Sequence, residues 1–280
     1  MDWILTVKCN NRPGIVAAVA TELASHGGDI TEAQQFDDLV AGVFFMRIAF
    51  RLDSDIQDFR RAFVRHVDAF GMEWKLRPAN EPRKVLLLVS RFDHCLADLL
   101  YRVRIGELNM DCVGIVSNHP MEDLSMPLRA GMPYHHLPVT RESKPQQEAQ
   151  IKRIIDETET ELVVLARYMQ ILSEDLARHL SGRCINIHHS FLPGFKGARP
   201  YHQAHARGVK MIGATAHYVT PDLDEGPIIA QDVEQVSHRD TPEDMVRKGR
   251  DIERRVLARA VALHLEDRVM PHGKRTVVFE

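Results

Sequence analysis

Lys84–Ser90 reads KVLLLVS, five apolar residues in a row between a lysine and a serine. A strand with one wet face alternates apolar and polar side chains, whereas an unbroken apolar run suits a strand covered on both faces of a parallel sheet. The same texture returns at 111–117 (DCVGIVS), 161–167 (ELVVLAR) and 184–187 (CINI). Helix-length segments at 96–107 and 144–159 separate the first three runs. That alternation predicts right-handed crossovers and an α/β, doubly wound, Rossmann-like sheet over residues 84–280. In such sheets ligands bind beyond the carboxyl ends of the strands. Further on, Thr241, Pro242, Glu243 and Asp244 supply a cap, a first-turn proline and first-turn acids for a long helix.

Upstream the rhythm is different. Residues 2–8 read as a strand, and a helix follows with Ile15, Val16, Val19 and Leu23 on one face and Gly27-Gly28 to end it. Strands are expected at 29–36 and 43–51, the second with Phe44, Met46, Ile48 and Phe50 on one side. Ile56, Phe59, Phe63, Val67 and Phe70 recur at helical spacing before Gly71, and 72–77 reads as a last strand. The order βαββαβ is the ferredoxin-like arrangement. PANEPR at 78–83, with two prolines and two charges, reads as the connection. The expected domains are therefore 1–80 and 84–280, with a linker at 81–83.

At 280 residues, 44% hydrophobic and 27% charged, the chain has enough apolar material for real cores. A net charge of -3 offers no basic field to a nucleic-acid backbone. No apolar run approaches the roughly 18 residues a membrane span needs, and the amino terminus lacks a secretory pattern. The four cysteines, Cys9, Cys95, Cys112 and Cys184, are scattered without a C-x-x-C pair, which favours a reducing compartment. A cytoplasmic location is expected.

The chemistry concentrates in 184–231. Asn186 and His188 stand at the end of the CINI strand, where alternation puts both on one side. The strand IGATAHYV carries His217 near its end, and the loop TPDLDEGP supplies Asp224. An amide can donate to an oxyanion, an imidazole can move protons, and a carboxylate can orient water or hold an imidazolium. Together they suit attack on a carbonyl carbon. Each alone has a bland reading: His188-His189 as a polar loop, Asp224 as a turn residue before Gly226-Pro227. Fifteen histidines also invite a metal reading, but His188-His189 and His135-His136 are adjacent pairs and complete no ligand spacing.

Asn186-Ile187-His188, Ser190–Pro193, Lys196-Gly197 and His217 leading to Asp224–Pro227 together resemble the signature of the folate-dependent formyltransferase family. VVLARYMQIL (163–172) is similar to that family's folate-binding strand and loop, whose backbone grips the pterin. The resemblance implies Asn186, His188 and Asp224 as catalytic residues, with His217 lining the site. Met169, Ile171 and Leu172 would line the pterin pocket, with plain core as the alternative for Met169. Ser117, Asn118 and His119 follow a buried strand and would edge the site or form a simple turn; Arg199 and His202 would meet the substrate's glutamate tail or form a solvated helix entry. Within the family, the full-length pattern is similar to its deformylase branch: NIHHSFLP (186–193), GARPYHQA (197–204), Ser117–His119 and YHHLPVT (134–140). NNRPGIVAAVA near the amino terminus resembles an ACT domain, a module that senses small molecules, often amino acids. Asn11 stands where many ACT domains have aspartate, so the resemblance names no effector.

That branch implies hydrolysis of 10-formyltetrahydrofolate to tetrahydrofolate and formate, within one-carbon metabolism that serves purine biosynthesis. It implies no cofactor beyond the folate substrate, no metal, and a homodimer or homotetramer. The alternatives are formyl transfer to an amine and a non-catalytic regulatory protein. Transfer to a phosphorylated amine needs a glycine-rich cradle after the first strand of the catalytic domain. Here that position reads Ser90-Arg91-Phe92-Asp93-His94-Cys95, without glycine and with an added negative charge.

Overall fold

The computed structural model describes residues 1–192 and 200–280 of the chain. Its packing divides into two compact units, Met1–Glu81 with Glu266–Met270 and Val277–Glu280, and Pro82–Leu265 with Pro271–Thr276.

The first unit has strands β1 (Asp2–Asn10), β2 (Asp29–Asp38), β3 (Val43–Arg51) and β4 (Glu73–Pro78), with helices α1 (Ile15–Ser25) and α2 (Ile56–Phe70). The sheet order is β2-β3-β1-β4, every neighbour antiparallel. Phe44, Met46, Ile48 and Phe50 join Leu5, Val7, Ile15, Val19, Leu23, Phe59 and Phe63 in one core. Period-two and period-3.6 apolar patterns meet there, which is why the sequence commits to this arrangement. Asp55 caps α2 by accepting from Gln57 N, and Gly71 ends it in the left-handed conformation. The expected boundary differs at the carboxyl end. Residues 266–270 and 277–280 pack with this unit because Arg268 forks onto Glu32 at 2.8 and 3.0 Å, where Arg47 also donates at 2.9 Å.

In the second unit the strands are β5 (Arg83–Val89), β6 (Met110–Ser117), β7 (Tyr134–His136), β8 (Leu162–Leu165), β9 (Cys184–His188), β10 (Met211–Tyr218) and β11 (Ile228–Gln235). Helices α3 (His94–Arg104), α4 (Lys144–Thr158), α5 (Glu174–His179), α6 (Pro200–Arg207) and α7 (Pro242–Leu265) accompany them. A separate two-stranded sheet, β12 (Val269–His272) and β13 (Arg275–Val278), follows in the chain, with only Pro271–Thr276 of it belonging to this unit. The sheet order is β11-β10-β9-β8-β5-β6-β7. Leu86, Leu88, Val116, Val163, Leu165 and Cys184 are buried together, as continuous apolar runs require.

Strands β7, β6, β5, β8 and β9 run parallel, as doubly wound topology demands. Strand β10 is reversed: it is antiparallel to both β9 and β11, so the edge strand β11 again runs in the direction of the others. The antiparallel β10–β11 pairing follows from the connection 219–227, too short to cross over the sheet. The strand at 83–89 also begins inside the expected linker, at Arg83. Helix α7 opens on a capping box, with Asp244 N donating to Thr241 Oγ1 and Thr241 N to Asp244 Oδ2, both at 3.1 Å. Among the described residues, no helix is long and apolar enough to cross a membrane.

Candidate active site

Asn186 and His188 project from the end of β9, and the antiparallel register sets His217 of β10 directly opposite Asn186. Asn186 Nδ2 lies 3.3 Å from His217 Nε2, and His217 Nδ1 lies 2.9 Å from the Tyr218 carbonyl. A carbonyl only accepts, so Nδ1 of His217 carries a proton, while its Nε2 faces both the Asn186 amide and the Asp224 carboxylate. His217 thus borders both of the other polar groups of the site.

The 219–227 loop returns Asp224 to the same spot. The β10–β11 register slips by one residue at Ala216/His217, and Asp224 sits at φ 57°, a left-handed conformation that aspartate tolerates better than most residues. Gly226 makes the return passable: a Cβ there would lie 1.7 Å from the Tyr218 carbonyl oxygen. The carboxylate lands with Oδ2 3.2 Å from His188 Nδ1 and Oδ1 3.6 Å from His217 Nε2. Burial raises the Asp224 pKa, but the hydrogen bond from His188 and the approach of His217 outweigh it and hold the carboxyl well below the usual carboxylate range. His188 is 6% exposed, and its Nε2 is buried without a hydrogen-bond partner. With Nδ1 committed to Asp224, this is the atom left to meet a reacting group.

These side chains line one cleft of about 570 Å³, together with Met169, Ile171, Leu172 and Leu223. Met169 is 52% exposed, Ile171 59% and Leu223 55%, an apolar rim of the kind that takes a flat heterocycle. The 168–172 loop is tied down by Met169 N donating to Ser90 Oγ at 2.9 Å and by Lys144 Nζ donating to the Ile171 carbonyl at 2.5 Å. So six of the expected residues besides His188 converge here: Asn186, Asp224, His217, Met169, Ile171 and Leu172. Ser117 does not. It is fully buried at the end of β6, where its hydroxyl accepts from His119 N at 3.1 Å, and it is not among the residues that line the cleft. Arg199 lies outside the described residues. His202 lines the cleft as an exposed residue of α6.

A second group on the cleft wall went unread in the sequence. Glu253, 1% exposed on α7, accepts from His94 Nε2 at 2.8 Å and from Tyr201 Oη at 2.7 Å. The Arg167 guanidinium Nε stands 3.3 Å from the same carboxylate. Burial raises the Glu253 pKa, yet its partners His94, Arg167 and Tyr201 together bring it below its ordinary value. Gly249, one turn earlier, admits the Tyr201 ring, because a Cβ there would stand 2.1 Å from Tyr201 Cζ. The available signal was Glu253 itself, a charge set among Gly249, Ile252, Val256 and Leu257 on the buried face of α7. His94, Cys95 and Glu253 also bring metal-type donor atoms within 4.8 Å of one another. Arg167 already neutralises that carboxylate, and a guanidinium beside a divalent cation is repulsive, so the donor set fits an ion poorly.

The loop after β5 bears on what can react. Asp93 is buried, and its carboxylate accepts from Ser125 N at 2.7 Å, Ser125 Oγ at 2.6 Å and Met126 N at 3.1 Å. The loop is therefore bound to residues 125–126 instead of presenting open amides to a phosphate.

The chain is similar to known proteins over its full length. The chain matches the formyl transferase family over residues 83–261 and the ACT domain family over residues 3–57. A protein named formyltetrahydrofolate deformylase from Corynebacterium sp. is 51% identical over 279 residues, 99% of this chain and 97% of the relative. The crystal structure of formyltetrahydrofolate deformylase from Burkholderia mallei superposes with a TM-score of 0.95 at 51% identity, covering 100% of this chain and 99% of that one. The glycinamide ribonucleotide transformylase 1 of Symbiobacterium toebii is more distant, with a TM-score of 0.64 and 29% identity over 71% of this chain and 95% of its own. An ACT unit ahead of a formyltransferase-type unit, matched end to end by relatives of one name, decides the assignment: the chain belongs to the formyltetrahydrofolate deformylase family.

Proposed function

We propose that this chain hydrolyses 10-formyltetrahydrofolate to tetrahydrofolate and formate, with water as nucleophile and Asn186, His188 and Asp224 as catalytic residues. The observation that carries the reading is the His188 Nδ1–Asp224 Oδ2 contact of 3.2 Å, with His188 Nε2 buried and unpartnered on the wall of a folate-sized cleft. The formyl group is an amide. Water adds to its carbon, and the tetrahedral oxyanion accepts from Asn186 Nδ2 and from protonated His188 Nε2. Asp224 orients the water and holds the imidazolium, and the His188–Asp224 pair takes the water's proton and returns one to the departing N10 amine. The C–N bond breaks, leaving formate and the free amine, with no cofactor required.

Met169, Ile171, Leu172 and Leu223 would hold the pterin, with His217 lining the site beside Asn186. Arg199 remains the proposed contact for the glutamate tail, and Ser117 is left out. The ACT unit would bind a small effector, an amino acid by resemblance, in a homodimer or homotetramer. The four cysteines are free thiols, three of them buried, in keeping with the cytoplasm as the proposed location. Asp93's commitment to residues 125–126 argues against transfer to a phosphorylated amine. The test is to incubate the purified enzyme with 10-formyltetrahydrofolate and no amine. Formate and tetrahydrofolate appearing one to one support hydrolysis; turnover only after an amine is added refutes it.

A further inference from the structure

The Glu253 group touches the catalytic histidine through one intermediate. Arg167 Nη1 lies 2.5 Å from His189 Nδ1. A guanidinium only donates, so this nitrogen of His189 accepts and the ring's tautomer is set. The His189 ring in turn stacks on His188, with centroids 5.1 Å apart and planes inclined by 20°. Arg167 is held in the left-handed region at φ 66° although it is not glycine, a conformation that persists only where the surroundings over-determine it. Its backbone is held by Ser90 N donating to its carbonyl at 3.3 Å and by its own N–H donating to the Leu165 carbonyl at 3.0 Å, and its guanidinium lies between Glu253 and His189. We propose that Arg167 is a positioning residue for the hydrolytic reaction: anchored on buried Glu253, it fixes His189, and the stacked His189 ring fixes the plane of His188.

The need for such a device follows from what His188 must do. Nδ1 has to stay on Asp224 while Nε2 faces the formyl oxygen, and a rotation of the ring about its own axis breaks both alignments together. Asp224 holds one edge of the ring, and the parallel face of His189 resists the rotation that one hydrogen bond permits. Three elements that are far apart in sequence, α7, the end of β8 and the end of β9, are thereby locked at the reacting atom.

The inference rests on the proposed catalytic role of His188, so His188→Ala is assayed beside the test variants. If that variant keeps its turnover, the functional reading fails. If it loses turnover, the test of Arg167 stands on its own. Arg167→Ala should lower kcat roughly 10–100-fold, the cost of a small misplacement of a reacting group, with KM for 10-formyltetrahydrofolate within about threefold. His189→Ala should do the same, and the Arg167→Ala/His189→Ala double variant should fall no more than about threefold below the worse single, because both act through one ring. Losses that multiply in the double variant, or that appear in KM with kcat intact, overturn the proposal. If Arg167→Ala does not fold by thermal melt, His189→Ala alone decides, since its half-buried ring can be removed with less disturbance. Undiminished kcat in that variant overturns it.

Discussion

Replacing Asp224 by asparagine keeps the side chain's shape and removes its charge. In the parent, Oδ2 stands 3.2 Å from His188 Nδ1, with 15% of the Asp224 side chain and 8% of the His188 side chain exposed. At an effective dielectric of about 20, a carboxylate and an imidazolium at that separation attract by roughly 5 kcal/mol. Only the share that grows as the imidazolium forms in the transition state enters kcat. Acid–base catalysis as a whole is worth about 10²–10⁴, or roughly 3–5 kcal/mol. The expected fall in kcat is therefore about 10²–10⁴-fold. Folate binding should barely change, because the apolar rim of Met169, Ile171 and Leu223 is untouched. The assay is formate release without an amine, over a range of substrate concentration. A kcat within tenfold of the parent, or a loss expressed in KM, would remove the His188–Asp224 pair from the mechanism.

Three further outcomes are expected. Glu253→Ala strips the buried partner from Arg167, His94 and Tyr201 and should cost about 3–5 kcal/mol in urea unfolding; a loss under 1 kcal/mol would show that the group is not a tightly coupled network. Gly226→Ala puts a methyl against the Tyr218 carbonyl, so the loop carrying Asp224 must move; kcat should drop at least tenfold, and an unaltered kcat would mean the loop is not needed where it stands. The Asp224 carboxyl, being depressed in the folded protein, contributes stability above its unfolded value of about 3.9 that is lost as pH falls through the folded one. Carbon-13 NMR of the folded enzyme at pH 3 should accordingly find Asp224 still ionised, and a protonated carboxyl there would contradict the assigned environment.

The buried strands were legible because their chemistry is local. Val85–Val89 and Leu162–Leu165 are apolar throughout, and a parallel sheet covered on both faces asks for that. The reversal of β10 was not legible, since the composition of Ile212–Ala216 carries no strand direction; only the antiparallel β10–β11 pairing follows from the brevity of the 219–227 connection. Asn186 and His188 could be paired from strand alternation, and Asp224 could be associated with them only through the family's motif. Its placement depends on a bulge and a left-handed residue that periodicity does not encode. Ser117 also ends a buried strand, and strand position alone does not separate it from a cleft residue: its hydroxyl accepts from His119 N, away from the cleft lining. Arg167, His189 and Glu253 escaped because they come from three distant segments. A charge on the buried stripe of α7 announces that a partner exists without saying which residue it is.

Single turnover in ¹⁸O-enriched water puts the nucleophile itself on record. With the enzyme in excess over 10-formyltetrahydrofolate and no amine present, each formate released should carry one solvent-derived oxygen, and Asn186→Ala, His188→Ala or Asp224→Asn should each suppress its appearance. Formate without the solvent label, or no formate until an amine is supplied, would contradict direct attack by water at the Asn186, His188 and Asp224 site.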